Sequence, residues 1–190
     1  MLNSNSSTLE EGHQQQQQQQ QQQNEQIVHM AVDVIQQSID LINRLNDKQY
    51  TFISKVMAGG TIGKHIRHVY DHFKLLYKQP EDLSIVNYDL RKPNNPSETE
   101  RRIAINNLKE LQKKIKEQSF LVPLEKELTL LAVIDSNDKQ KYTFNSSFGR
   151  ELLYCCIHAI HHYASIKAIC IEQDISMPYE FGMAFSTLQS

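Results

Sequence analysis

The stretch SFGRELLYCCIHAIHHYASIKAICIEQ, Ser147 to Gln173, decides how the chain folds. Its apolar residues run nearly all the way round a helix instead of along one stripe, and such a helix belongs in the middle of a bundle. Ser146 or Ser147 is placed to cap its start, because a serine hydroxyl accepts from the free amides of a first helical turn. Within it, His158 and His162 stand at i and i+4, which sets their Cβ atoms roughly 6 Å apart on one face, close enough to share a metal ion. Counting 100° per residue from His158, the residues Glu151, Tyr154, Cys155, His161, His162, Ser165 and Ile169 share its sector. Lys167 points the opposite way, so that sector is not simply a solvated surface.

Working outward, Ile27, Met30, Ala31, Val34, Ile35, Ile39 and Ile42 recur at three- and four-residue intervals and mark an amphipathic first helix from Glu25 to about Asn46. Thr61, after the Ala58-Gly59-Gly60 break, is a plausible cap for a second helix that ends before Pro80. This helix carries His65, His68 and His72 beside an apolar arc of Ile62, Ile66, Val69, Phe73, Leu76 and Tyr77. Pro80, Pro93 and Pro96 forbid continuous helix, so residues 80–97 read as an extended crossing loop. Ser97 and Glu100 have capping-box spacing and open a third helix through Leu108, Leu111 and Ile115. Two strand-like runs, Leu128 to Ile134 and Lys141 to Phe144, flank the polar quartet Asp135 to Asp138 and suggest a short hairpin. The expected fold is all-α: a four-helix bundle with one long crossover loop and a short β-hairpin before the last helix, over residues 25–190. Residues 1–24, with an unbroken glutamine run from Gln14 to Gln23, are expected to form a disordered tail, since they hold too little apolar surface to offset chain entropy.

Twenty basic residues against 22 acidic ones leave a formal net charge of -2, so no global field favours nucleic acid. No apolar run reaches the roughly 20 residues of a membrane span, and the polar start lacks the pattern of a secretory leader. The three cysteines, Cys155, Cys156 and Cys170, all fall in the last helix and do not make a disulfide framework. A cytoplasmic protein with no nucleic-acid or membrane partner is expected.

Six of the eight histidines lie in the two short clusters. A single buried histidine is usually satisfied by a carbonyl or carboxylate, but burying several without partners costs about 1 to 3 kcal/mol apiece, and one shared cation removes that cost. Three imidazoles with no fourth protein ligand leave a coordination position open, as catalytic zinc sites do, so a bound water is a candidate nucleophile. A divalent ion is therefore expected, zinc first, with nickel, iron and manganese also suited to nitrogen ligands. Glu151, two turns from His158 on the same face, is the candidate general acid or base, or else a carboxylate that orients a ligand. Asp71, Arg67 and Arg150 read as ion pairs locking loops to the bundle, and Cys155 as a packing residue.

The strings Gly63 to Phe73 (GKHIRHVYDHF) and His158 to Ala164 (HAIHHYA) resemble the DinB-like superfamily of four-helix metalloproteins. Tyr88-Asp89-Leu90-Arg91, Ser147 to Leu152 and Phe181 to Thr187 are similar to one small branch of it, so that the likeness spans about residues 26–188. The resemblance implies a ligand set of His68, His158 and His162, with His65 or His72 as the fallback first ligand. It further implies a metal-dependent hydrolase or thiol-dependent transferase acting on a small-molecule substrate. The alternative is a non-catalytic, metal-stapled bundle with a binding or structural role, with a homodimer as one form.

Overall fold

The computed structural model describes residues 4–77, 84–90, 95–118, 121–138 and 140–189. Pro80, Arg91 and Pro93 of the expected crossing loop lie outside them. The described elements run α1 (Ser4–Arg44), α2 (Asp47–Thr51), α3 (Ile62–Leu76), β1 (Ile85–Val86), a 3-10 turn (Pro96–Glu98), α4 (Arg101–Gln118), β2 (Glu127–Ala132), β3 (Tyr142–Ser147) and α5 (Phe148–Glu172). Helix α3 packs on α5, while α1 packs on α4 and α5.

The core sits where the sequence periodicities meet. Ala31, Val34, Ile35 and Ile42 of α1, Ile66, Val69 and Phe73 of α3, Leu108 and Ile115 of α4, and Leu152, Ala159, Ile166 and Ile169 of α5 are all buried. Tyr163, inside this core, is paired: it donates its hydroxyl hydrogen to the Val34 carbonyl at 2.6 Å and lies 2.6 Å from the Ser38 hydroxyl. Tyr50, also fully buried, donates to the Ser97 carbonyl at 2.7 Å. Arg67 of α3 pairs with Asp71 and with Glu98, both at 2.9 Å, and so ties α3 to the turn before α4.

Local chemistry accounts for most helix ends. Thr61 accepts from the Lys64 amide at the start of α3, and Ser147 accepts from the Arg150 amide at the start of α5. Asn46 and Gln49 form a reciprocal capping box that opens the short α2. The Ser97–Glu100 box expected ahead of the third helix is replaced by Asn95, whose side chain accepts from the Ser97 amide at 3.0 Å. Helix α1 continues through Gln14–Gln23, where a disordered tail was expected. Those glutamines are exposed, and glutamine propagates a helix readily once a packed segment has nucleated it.

The all-α class needs correcting. Among the described residues, a three-stranded mixed sheet of order β1-β2-β3 stands beside five α-helices. Strands β2 and β3 pair antiparallel from Glu127↔Ser147 to Ala132↔Tyr142, and β1 adds in parallel with Ile85 opposite Thr129 and Val86 opposite Leu130. A two-residue strand is too short to show alternation, and its partner lies more than 40 residues along the chain, so nothing local announced it. The pairing continues through Thr129 N–H to the Ser84 carbonyl at 2.8 Å and Val133 N–H to the Asp89 carboxylate at 3.1 Å. These bonds dock the crossing segment on the sheet and carry Tyr88 to the side of the bundle where the histidines lie.

After α5 the chain packs back. Phe181 is buried and stacks on Tyr163 with ring centres 4.9 Å apart. Gly182 adopts φ +75°, and a Cβ there would stand 2.6 Å from the Ala164 nitrogen, so only glycine fits this return.

Candidate metal centre

Two helices build the centre. Helix α3 presents His65, His68 and His72 at i, i+3 and i+7, and α5 presents His158 and His162 one turn apart; because α3 and α5 pack directly, the two sets meet. His158 Nε2 lies 3.1 Å from His68 Nε2 and 3.2 Å from His162 Nε2. Among the described residues, His68, His158 and His162 form the one group of three side chains whose donor atoms all fall within 4.8 Å of one another.

Those separations are unfavourable for three bare imidazoles. One proton on His158 Nε2 satisfies one neighbour and leaves the other facing a lone pair or a second hydrogen at close range. A tetrahedral ion with metal–nitrogen bonds of about 2.0–2.1 Å would set its ligand nitrogens about 3.3–3.4 Å apart. The two observed distances fall just short of that span and the third pair lies within 4.8 Å, so the donor set can close on one cation by side-chain adjustment. Electrostatics agree: burial first, then the imidazoles of His158, His65, His161 and His72, hold His162 down to about 3, so its ring is neutral at ordinary pH and offers a lone pair. Burial, followed by His161, also lowers His65.

The two remaining histidines of α3 serve the trio from outside it. His65 Nδ1 lies 2.8 Å from His162 Nδ1, on the side of that ring away from the other ligand nitrogens. His72 is buried and donates from Nδ1 to the His68 carbonyl at 3.0 Å. Its ring stacks on Tyr88, 4.9 Å between centres and 12° between planes, and lies 4.1 Å from the His158 ring. Neither fallback ligand joins the three-nitrogen group. His161 projects to the exposed side of α5.

Glu151 sits elsewhere. It is fully buried, and its carboxylate accepts from Ser146 Oγ at 2.6 Å, Arg150 at 2.9 Å and the Tyr88 hydroxyl at 2.9 Å. It meets the imidazoles indirectly, through Tyr88 stacked on His72, and its oxygens are committed to holding the crossing segment and β3 on α5. Tyr88 also lies 3.6 Å from Cys155 Sγ, and burial, Cys155 and Glu151 keep its hydroxyl protonated far above the usual range. Cys155 is buried, and burial pushes its thiol up, so it is no ready nucleophile. Tyr88 has no signal in the sequence that marks its contact with His72. A lone tyrosine in a proline-rich segment carries no periodicity, and only the parallel pairing of β1 brings it over His72.

No family model matches the chain, and no solved structure matches it. A curated relative, FK506-binding protein 5 of Rhizopus delemar, is 46% identical over 161 residues, which is 84% of this chain. The chain spans 36% of that relative's length. These findings correct the DinB-like resemblance, because the relative that shares most of the chain bears the name of a different kind of protein. The resemblance rested on short strings, and a His-x-x-x-His pair with one facing histidine follows from helix geometry that unrelated bundles reach as well. The metal-dependent hydrolase or thiol-dependent transferase that it implied is withdrawn with it. Among the described residues, no helix is long and apolar enough to cross a membrane.

Proposed function

We propose that the chain is a non-catalytic helical module stapled by one divalent transition-metal ion on His68, His158 and His162, serving a binding or structural role. The observation that carries this reading is the division of the polar core. Three imidazole nitrogens converge, whereas Glu151 and Cys155, which the same polar core holds apart from them, are locked in hydrogen bonds or buried as a neutral thiol. The ion joins α3 to α5 across the middle of the bundle, so its binding energy adds to folding. The relative's name assigns it FK506 binding. The match leaves about two thirds of that protein outside, and the stapled-module reading assigns this chain no drug site of its own. Three buried, unpaired cysteines fit a reducing compartment such as the cytoplasm.

The test uses chelator-treated protein titrated in turn with nickel, cobalt and zinc ions. One equivalent should bind, and at a hundredfold excess over Kd the stabilisation of about 2.7 kcal/mol corresponds to a Tm rise of about 5–10 °C. His162→Ala should abolish both while the bundle persists by circular dichroism. Panels of esters, amides and thiol conjugates should show no turnover, and calorimetric titration with FK506 should show no heat. Turnover, or a bound metal that leaves Tm unchanged, refutes the stapled-module reading. FK506 binding would move the drug site into this chain.

A further inference from the structure

We infer that His65 is a positioning residue for the metal centre, fixing by one hydrogen bond which nitrogen of His162 is free to ligate; this rests on the metal reading above. The argument is one of proton placement. A neutral imidazole carries one N–H, and His162 presents Nε2 to the His68–His158 pair, 3.2 Å from His158 Nε2. A lone pair at that atom requires the hydrogen on Nδ1. Free imidazole side chains favour no such arrangement strongly, so the protein must supply an acceptor opposite Nδ1. His65 Nδ1 stands 2.8 Å away and fills that role. Accepting there obliges His65 to carry its own hydrogen on Nε2, which faces the Met57–Gly60 turn. A Cβ on Gly60 would lie 3.1 Å from that nitrogen, so the glycine leaves the room in which the ring is seated.

The position of His65 in the fold supports the assignment. Its backbone amide bonds to the Thr61 carbonyl in the first turn of α3, immediately after the Thr61 cap, and its ring is half-buried against α5. The ring meets His162 at 5.1 Å between centres and 51° between planes, an angled approach suited to an in-plane nitrogen-to-nitrogen bond and not to stacking. His65 thus does for His162 what a carboxylate or carbonyl does behind many ligating histidines: it sets tautomer and ring orientation.

The test compares wild type, His65→Ala, His65→Asn and His162→Ala in nickel-ion titrations, with nitrogen-15 NMR of the His162 ring in the metal-free proteins. Asparagine places its side-chain oxygen where His65 Nδ1 stood and restores the acceptor. Alanine should weaken nickel binding about 10- to 100-fold, and asparagine should recover most of that loss. In wild type and the asparagine variant the His162 hydrogen should reside on Nδ1, whereas in the alanine variant it should redistribute toward Nε2. Equal affinity for alanine and wild type, or a His162 tautomer indifferent to residue 65, overturns the inference while leaving the metal centre standing. Failure of wild type itself to bind nickel, cobalt or zinc ions overturns the metal reading and this inference together. If the alanine variant does not fold, an asparagine variant that folds but binds as weakly as His162→Ala gives the same refutation.

Discussion

Replacing Glu151 by leucine removes the acceptor on which three elements converge, and the cost can be worked through donor by donor. The Ser146 and Tyr88 hydroxyls, 2.6 and 2.9 Å from the carboxylate, would each lose a partner, at about 1–3 kcal/mol apiece when a buried donor is left unmade. The Arg150 side chain is 60% exposed and regains water, so its share is under about 1 kcal/mol. Leucine gives back part of this by sparing the desolvation of a carboxylate. A net loss of about 2–4 kcal/mol is expected. Glutamine is the informative control. Its oxygen still accepts from Ser146 and Arg150, and its amide can donate to the Tyr88 oxygen if that hydroxyl turns its hydrogen toward Cys155 Sγ, 3.6 Å away. Glu151→Gln should therefore cost only about 1 kcal/mol. Guanidinium denaturation at 25 °C, followed by circular dichroism, measures both. Combining Glu151→Leu with Tyr88→Phe should be clearly less than additive, since the two changes delete the same bond. A leucine variant within about 0.5 kcal/mol of wild type, or a glutamine variant as damaged as leucine, would refute the account of Glu151 as a structural anchor.

Tyr163→Phe deletes one hydroxyl shared by the Val34 carbonyl and the fully buried Ser38, and chemical denaturation should register a loss of about 1–3 kcal/mol. Gly63→Ala would set a Cβ onto the Glu98 backbone carbonyl and 2.8 Å from Tyr50 Cε1, forcing α3 away from the turn that precedes α4. A loss of at least about 2 kcal/mol is expected, and a change within thermal-scan error would show that this approach yields easily. For metal-free protein, His162 is held at about 3 and His65 is lowered in the folded state, so below an unfolded value of about 6.5 the unfolded chain binds more protons. Stability should then be full above about pH 6.5 and fall as the pH drops toward 3. The fall should be shallower in His162→Ala, and a Tm profile equally steep in both proteins would contradict the assignment.

How much could be read in advance differs by residue. The i, i+4 pair His158 and His162 followed from helix geometry alone, as did the apolar arcs of α1 and α3, the cap at Thr61 and a serine cap at Ser146 or Ser147, of which the structure uses Ser147. The strand Ile85–Val86 was not legible. Its stability comes from pairing with Thr129 and Leu130, and a dipeptide has no period to detect. Glu151 was assigned by sector to the histidine face, but a helical wheel gives direction without reach. The hydroxyls that claim its carboxylate arrive from Ser146 and from Tyr88, which is 63 residues away. The short strings behind the DinB-like resemblance specify side-chain spacing on two helices, which is too little to specify a relation.

Sequence alone determined the packed stretches of α1, α3, α4 and α5, though not the short α2 or the helical glutamine run, and that six histidines would occupy two short windows. These properties depend on residues within a few positions of one another, where backbone geometry is rigid and repeats every 3.6 residues. Only the tertiary structure decided which nitrogen meets which. It drew His68 into the trio, set His65 behind His162, turned His72 to the His68 carbonyl and brought Tyr88 across on β1. Those choices depend on how α3 and α5 rotate and slide against each other, and that is set by packing summed over the whole core.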